Sequence, residues 1–536
     1  MCPHPPALRP PGVAVLAALA AGSFAAVASA SLTPSWITEG NRVLALYGRS
    51  VASAGDVNGD GYADVIVGAP LYQNPGGQGR VFVIHGSPSG LLSAPAWTAE
   101  GTTASQGFGH CVAGAGDVNG DGYADVVVGR AYGDAGGQAW VYHGSSAGLG
   151  TSANRSAVGP PGFGIIVAGA GDVNGGGFSD MVVGRDGAWI YHGSASGLSL
   201  TPDLELTATF VRRVAAAGDV NGDGFDDVLV GLANPTTFYG ASLHLGSASG
   251  LSPTSSWTGY GDQVGAEYGS SVAGAGDVNL DGFDDILVGE PLFANGQPTE
   301  GRVYLYYGSA GAPDTSPDWT AEGNQAGALF GSVVAGAGDI DGDGHADLLI
   351  GSPAYDNGQL DEGRVFVYFG SALGPSLTPD WTAESDQADS KFASSAAGAG
   401  DVDNDGGAGI IVGAYQFQNP EDFEGRSYVY QTALVGVPPR PEATIPSLSL
   451  APPTANPSPG GFELRFVLPA AGRARLTVQD VAGRTVAVLC DGVESAGPHV
   501  VLWDGGGRAE HMPSGVYVAR LEFAGRVEQR KLVLAR

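Results

Sequence analysis

The chain has 536 residues, more than one ordinary domain needs, and 43% of them are hydrophobic, which supplies a core and excludes a disordered chain. The formal charge is −31, and residues 31–432 alone carry 46 acidic against 12 basic groups. Such a surface repels phosphate backbones, so nucleic acid is not an expected partner, and it attracts cations.

In chain order, residues 1–30 come first and read as a signal peptide. Arg9 gives a weakly charged start, Val13–Val27 is apolar and Ala-rich, and Ala28-Ser29-Ala30 offers a cleavage site after Ala30. The alternative is an uncleaved membrane anchor, and no other stretch is long enough to span a bilayer. Secretion, or display on the outer surface of the cell, follows. Of the three Cys, Cys2 would leave with the signal, and Cys111 and Cys490 fall in different domains. A disulfide is not expected, so an exported fold needs another staple.

Residues 31–432 repeat themselves. Ala54-Gly55-Asp56-Val57-Asn58-Gly59-Asp60-Gly61 recurs with variation from Asp117, Asp172, Asp219, Asp277, Asp339 and Asp401. Each unit begins with a small-residue apolar strand such as Ser50–Ala54. A Gly/Asp turn follows, then a β-branched run such as Ala63–Gly68, a third strand such as Arg80–Gly86 and an outer strand such as Ala96–Gly101. Four antiparallel strands per unit make one propeller blade, and seven units predict a seven-bladed ring. The outer-strand phrase recurs at Trp97, Trp257, Trp319 and Trp381 but is missing after unit seven; a spare copy, Ser35–Gly40, precedes unit one. This N-terminal segment is therefore expected to complete blade seven and hide the ring's edges.

Residues 433–455 read as a Pro-rich, semi-rigid linker, with eight Pro between Pro438 and Pro459. Residues 456–536 show short strands with turn signals at Ala470–Gly472, Val481–Gly483 and Asp504–Gly507, which predicts a small Ig-like β-sandwich. The fold class is all-β throughout.

The recurring turn is D-x-[ND]-x-D-G-x-x-D. Unit one offers carboxylates from Asp56, Asp60 and Asp64, an amide oxygen from Asn58 and a backbone carbonyl from Tyr62. Hard oxygens at positions 1, 3, 5, 7 and 9 suit Ca²⁺ better than Mg²⁺, which seldom takes an all-protein cage. The loop is not an EF-hand, because position 12 is Val67. Equivalent sets are Asp117, Asn119, Asp121, Tyr123 and Asp125; Asp219, Asn221, Asp223, Phe225 and Asp227; and Asp277, Asn279, Asp281, Phe283 and Asp285. Unit six has Asp339, Asp341, Asp343, His345 and Asp347. Unit three has Gly176 at position 5 and unit seven has Gly409 at position 9, so about five structural calcium sites and two poor ones are expected.

These units resemble the FG-GAP repeats of integrin alpha-subunit propellers. Phe108-Gly109, Phe163-Gly164 and Phe330-Gly331 match the FG element, and Gly68-Ala69-Pro70 matches GAP. The resemblance covers nearly all of residues 31–432 and implies structural calcium loops and extracellular binding. No D-x-S-x-S metal-adhesion motif is present in the sequence. The tail resembles hook-capping-protein-like (FlgD-like) and type IX secretion sorting modules, through Asn456-Pro457, Asp480–Arg484, Trp503–Gly505, Ser514–Tyr517 and Lys531–Leu534. It implies bacterial export and engagement of a sorting machinery.

Gly144-Ser145-Ser146-Ala147-Gly148 fits a nucleophile-elbow pattern, but its equivalents do not keep Ser at the centre, so it reads as a repeat turn. His85, His143 and His192 share one repeat position and read as strand-end packing. Tyr72, Phe293, Tyr355 and Phe417 recur four residues after the second-strand Gly, on loops of varying length. They are either packing between blades or contacts to an extracellular glycan or protein ligand. No polar constellation singles out one unit, which favours a non-enzymatic binding or adhesion protein. A propeller-type hydrolase or lyase acting on polysaccharide or lipid is the alternative.

Overall fold

The computed structural model describes residues 33–431, apart from 73–77, 103–106, 131–135, 186, 207–210 and 235–237. It also describes residues 449–535, apart from 451–457, 459–461, 469–471, 481–483, 495–496, 504–511 and 524–525. The expected signal peptide, linker residues 433–448 and 451–455, Asn456-Pro457 and most of the three C-terminal turns lie outside the described residues. Among those described, every regular element is a strand, and no helix is long and apolar enough to cross a membrane. The chain divides into two compact units, 1–439 and 440–536.

The first unit contains seven four-stranded antiparallel sheets. Blade one runs Ser50–Gly55, Asp64–Ala69, Arg80–Ile84 and Trp97–Glu100. The inner strands of blades two to six are Phe108–Gly116, Ile166–Gly171, Val211–Gly218, Ser271–Gly276 and Val333–Gly338. Second strands such as Asp64–Ala69, Asp285–Glu290 and Gly409–Ala414 are buried along their whole length, which is why they read as unbroken β-branched runs.

Blade seven takes Phe392–Gly400, Gly409–Ala414 and Arg426–Gln431 from one end of the propeller sequence and Thr33–Glu39 from the other. Ile37 stands opposite Tyr428, and Glu39 opposite Arg426. The inner strand of blade seven lies against that of blade one, and Ala399, Val402 and Ile411 share a core cluster with Val51, Val65 and Val67.

Blades are joined by features that recur around the ring. A Cβ on Gly68, the first residue of GAP, would lie 2.1 Å from the carbonyl oxygen of Gly109, the second residue of FG in the next blade. The same backbone approach joins Gly129 to Gly164, Gly231 to Gly269, Gly289 to Gly331 and, across the closure, Gly413 to Gly48. Only glycine allows it. The seam uses the Gly of GAP rather than its Ala-Pro, so Gly129-Arg130-Ala131 preserves it.

Outer-strand tryptophans make a second stitch. Trp97 Nε1 donates to Gly150 O at 2.9 Å, Trp257 Nε1 to Asp314 O at 3.1 Å and Trp319 Nε1 to Ser376 O at 3.0 Å. Trp36 Nε1, from the N-terminal strand, donates to Leu92 O of blade one at 3.0 Å. The FG phenylalanines are buried between neighbouring blades, Phe108 against Trp140 and Phe330 against Phe366, edge to face.

The second unit has two sheets. Ser449–Leu450, Phe462–Leu468 and Gly497–Trp503 form one; Thr485–Glu494, Gly472–Asp480, Gly515–Phe523 and Arg526–Leu534 form the other, in that order. Leu464, Phe466, Leu476, Val478, Leu521 and Leu532 belong to one core, with the Trp503 ring edge-on to Tyr517. Arg484 N donates to Asp480 Oδ1 at 3.0 Å, and its Nε to Asp480 Oδ2 at 2.8 Å, which explains the Asp and Arg at the two ends of that motif. Cys111 and Cys490 are free thiols.

Candidate functional site

Each acidic turn joins the inner strand of a blade to its second strand. In blade one Asp56 organises the loop: Oδ1 accepts from Gly59 N at 2.7 Å and Asp60 N at 3.1 Å, and Oδ2 from Gly61 N at 2.8 Å. Asn58 Oδ1 accepts from Asp60 N at 2.9 Å, and Asp60 Oδ1 from Tyr62 N at 3.1 Å. Gly61 has φ +89°, the left-handed conformation that the sharp turn requires.

The ninth position differs from the rest. Asp64 is fully buried; its Oδ2 accepts from Val57 N at 3.0 Å and its Oδ1 from Gly86 N at 2.8 Å. Asp125, Asp227, Asp285 and Asp347 repeat this arrangement. Burial, opposed by the two backbone hydrogen bonds and reinforced by the negative charges of Asp56 and Asp60, pushes the Asp64 carboxyl up to about 7. Asp347 is pushed up to about 8 in the same way. A buried carboxylate facing two more carboxylates, within a set of hard oxygens, fits a divalent cation.

Carboxylate oxygens gather most tightly at two turns. Among the described residues, oxygens of Asp339, Asp341 and Asp347 lie within 4.8 Å of one another, as do those of Asp401, Asp403 and Asp405. Asp343 is not in the first group. The second is in blade seven, where a poor site is expected from Gly409; burial, with Asp405 and Asp401 close by, pushes Asp403 up to about 6. The loss at position 9 leaves three carboxylates that still converge. In blade three Gly176 donates its N–H to Asp172 Oδ1 at 2.9 Å and Asn174 Oδ1 at 2.7 Å, so the turn persists without its middle carboxylate.

The turns also belong to the blade interfaces. Asp56 O accepts from Ala124 N of blade two at 2.9 Å, and Val57 O from Ser145 N at 3.1 Å. Equivalent bonds join Asp117 to Ser179, Asp172 to Asp226, Asp219 to Asp284, Asp277 to Ala346 and Asp339 to Ala408.

The four recurring aromatics lie on the opposite face, each beneath an arginine of its own blade. Arg80 sits 4.6 Å from the Tyr72 ring centre, Arg302 3.7 Å from Phe293, Arg364 4.6 Å from Tyr355 and Arg426 3.6 Å from Phe417. Each arginine also pairs with an outer-strand carboxylate: Glu100, Glu322, Glu384 or Glu39. This corrects one expectation: Phe293 and Phe417 are only 4% and 6% exposed, so they do not present a ligand-binding surface. The packing alternative holds for Phe417, Tyr72 and Tyr355, which lie in or against core clusters that two neighbouring blades share. The arginine over each ring belongs to neither expectation; the recurrence of Gly79-Arg80, Gly301-Arg302, Gly363-Arg364 and Gly425-Arg426 is the signal for it. Tyr72 and Tyr355 remain half-exposed, and Tyr355 lines a groove of about 890 Å³ beside Trp381 and Asn324.

The elbow-like Ser145 closes a turn, its Oγ donating to Gly148 O at 2.7 Å, as Ser87, Ser194, Ser247 and Ser371 do in their blades. His85 Nδ1 lies 3.1 Å from Asn58 Nδ2, and His143 Nδ1 3.1 Å from Asn119 Nδ2, so these histidines brace the acidic turns.

The FG-GAP repeat family matches residues 47–84, 112–142, 210–234, 268–306 and 330–368, in blades one, two, four, five and six. Those are the blades whose acidic turns are complete. Similar proteins include integrin alpha-5 of Xenopus laevis, 34% identical over 188 residues, which are 33% of this chain and 18% of that one. Integrin alpha-PS2 of Drosophila melanogaster is 32% identical over 181 residues, 31% of this chain and 13% of the relative. Integrin alpha-V of Gallus gallus is 29% identical over 243 residues, 42% and 22% of the two chains. The match thus spans less than a quarter of each relative's length.

Proposed function

We propose that this FG-GAP, integrin-alpha-like propeller works as a calcium-stabilised, non-enzymatic binding module of the cell exterior, adhering to a glycan or protein. The observation that carries the reading is the division between its faces. One face repeats a single acidic turn, whose carbonyls bond to the next blade, so cations there would brace the scaffold. The other bears loops of differing length, and variable loops on a rigid scaffold are where recognition resides. Asp56, Asn58, Asp60, the Tyr62 carbonyl and Asp64, with their equivalents, would hold the ions. The adhesive sense comes from the integrin alpha relatives, and export from the signal-like N-terminus. The C-terminal two-sheet unit is proposed to engage a sorting machinery.

The experiment is a calcium-saturated glycan array and cell-binding assay, combined with product analysis on polysaccharide and lipid substrates. Binding without turnover supports the module; turnover that follows binding favours the hydrolase or lyase.

A further inference from the structure

The propeller carries 46 acidic and 12 basic residues, yet its basic residues are not spread evenly. Arg49 of blade one, His110 of blade two, Arg185 of blade three, and Arg212 and Arg213 of blade four open onto one pocket of about 530 Å³. The pocket receives residues from six blades, where the inner strands begin, so it lies on the ring axis at the end away from the acidic turns. Among the described residues Glu267 is the only acidic one that lines it, 3.5 Å from Arg212. Arg49 stacks over Tyr415, its guanidinium 5.1 Å from the ring centre. Among the described residues Arg185 and Arg213 meet no carboxylate within ion-pair distance.

The repeat shows that these residues are not demanded by the fold. Ser270 and Ser271 of blade five occupy the positions of Arg212 and Arg213. At the second position a serine is the structural choice: Ser50 Oγ accepts from Val112 N of the next blade at 3.0 Å, Ser271 Oγ from Val334 N at 2.9 Å and Ser395 Oγ from Val51 N at 2.9 Å. Arg213 gives up that stitch and places a second guanidinium beside Arg212. Arg185 holds φ +138°, a conformation that side-chain-bearing residues rarely adopt. Like charges gathered where neutral residues would serve incur a repulsion that a bound anion removes.

We infer that this axial pocket is a binding site for a small multivalent oxyanion, such as a sulfate, phosphate or paired carboxylate group, held by Arg49, Arg185, Arg212 and Arg213. Guanidinium forks match the geometry of such groups. His110 reports on occupancy: burial, with the charges of Arg49, Arg213 and Arg185, pushes its imidazole down to about 4, and a bound anion would offset those charges. The site is independent of the adhesive reading and of the calcium turns.

The test is calorimetric titration of the full chain with sodium sulfate at constant ionic strength set by sodium chloride, alongside an NMR titration of His110. Saturable 1:1 binding and a raised His110 pKa are expected, with affinity about tenfold or more lower in Arg212→Ser/Arg213→Ser, the residues blade five already uses. A sulfated monosaccharide forms the second arm: tighter binding than sulfate identifies a sugar-borne group, and equal binding the free ion, both through the same pocket. Heats no larger than those of chloride, or undiminished binding by the double variant, overturn the inference. Arg49→Gln, on a different blade, gives the same reading if the double variant does not fold.

Discussion

The carbonyl oxygen of Asp401, first residue of the last acidic turn, accepts the N–H of Ala63 in the first blade at 3.0 Å. One residue on, Val402 O accepts from Ser87 N at 3.0 Å. The closure thus uses the same bonds as the interfaces within the ring. A turn loosened by repulsion among its carboxylates disturbs two blades at once.

Calcium removal should soften many interfaces together. A ligand that binds only the folded state contributes about 2.7 kcal/mol per site at 100 times Kd, so excess chelator should lower the melting temperature markedly. Asp341→Ala and Asp343→Ala should each reproduce part of the loss. Asp341→Asn should reproduce little, because Asn58, Asn119, Asn221 and Asn279 stand at that position elsewhere. A melting curve indifferent to chelator would falsify the calcium reading.

The glycine seam should be intolerant of a single methyl group. Gly68→Ala places a carbon 2.1 Å from the Gly109 carbonyl oxygen, and a loss of about 3 kcal/mol is expected in urea unfolding. Gly61→Ala meets nothing within 4 Å, so only its φ of +89° penalises it, by about 1–2 kcal/mol. Equal effects of the two variants would refute the close-approach account.

Deletion of residues 33–39 should leave Arg426–Gln431 as an exposed edge and remove the partners of Arg426 and Leu92. The expected result is aggregation on size-exclusion chromatography. A monomer with the parental melting curve would show that the N-terminal strand is dispensable.

The aromatics should separate into two pairs. Phe293→Ala and Phe417→Ala remove buried rings and should cost about 3–5 kcal/mol of stability. Tyr72→Ala and Tyr355→Ala remove half-exposed rings under arginines and should cost about 1 kcal/mol, while weakening attachment to cells or glycans. Unchanged attachment by the tyrosine double variant removes these residues from the binding surface.

Glu290 should make stability fall as pH rises. It is fully buried, its carboxylate accepts from the Tyr304 hydroxyl, and burial pushes it up to about 7 despite that bond and Arg302. The folded state therefore holds its proton more tightly than the unfolded state. Its stabilising share is complete below about 4.5 and lost as pH rises through about 7, on the order of 1–3 kcal/mol. Glu290→Gln should flatten this part of the pH profile; an identical slope in both proteins would refute it.

Periodic features were legible in the sequence because each blade repeats one local solution. The Asp-Asn-Asp-Gly turns, the buried second strands and the spare Trp36 phrase all announce themselves by recurrence. Departures from the repeat were harder to interpret. Gly409 suggests a failed site, yet Asp401, Asp403 and Asp405 still converge, because convergence depends on loop geometry rather than on the ninth ligand alone. Phe293 and Tyr355 share a sequence position, but their exposure depends on how closely the blade's arginine folds over the ring. Arg49, Arg185 and Arg212 are far apart in the chain, and only ring closure brings them to one axis.

The pairing of Glu39 with Arg426 spans 387 residues, and this has a consequence for synthesis. A ribosome adding about 5–20 residues per second would release the second partner roughly 20–80 seconds after the first. Six blades can stack on their predecessors during that interval, but the seventh must wait for a strand made before all of them. Until the two ends meet, the nascent chain is an open arc with an unmatched strand at its leading end. A late, long-range latch of this kind makes completion slow and leaves the chain vulnerable to mispairing with a neighbouring copy.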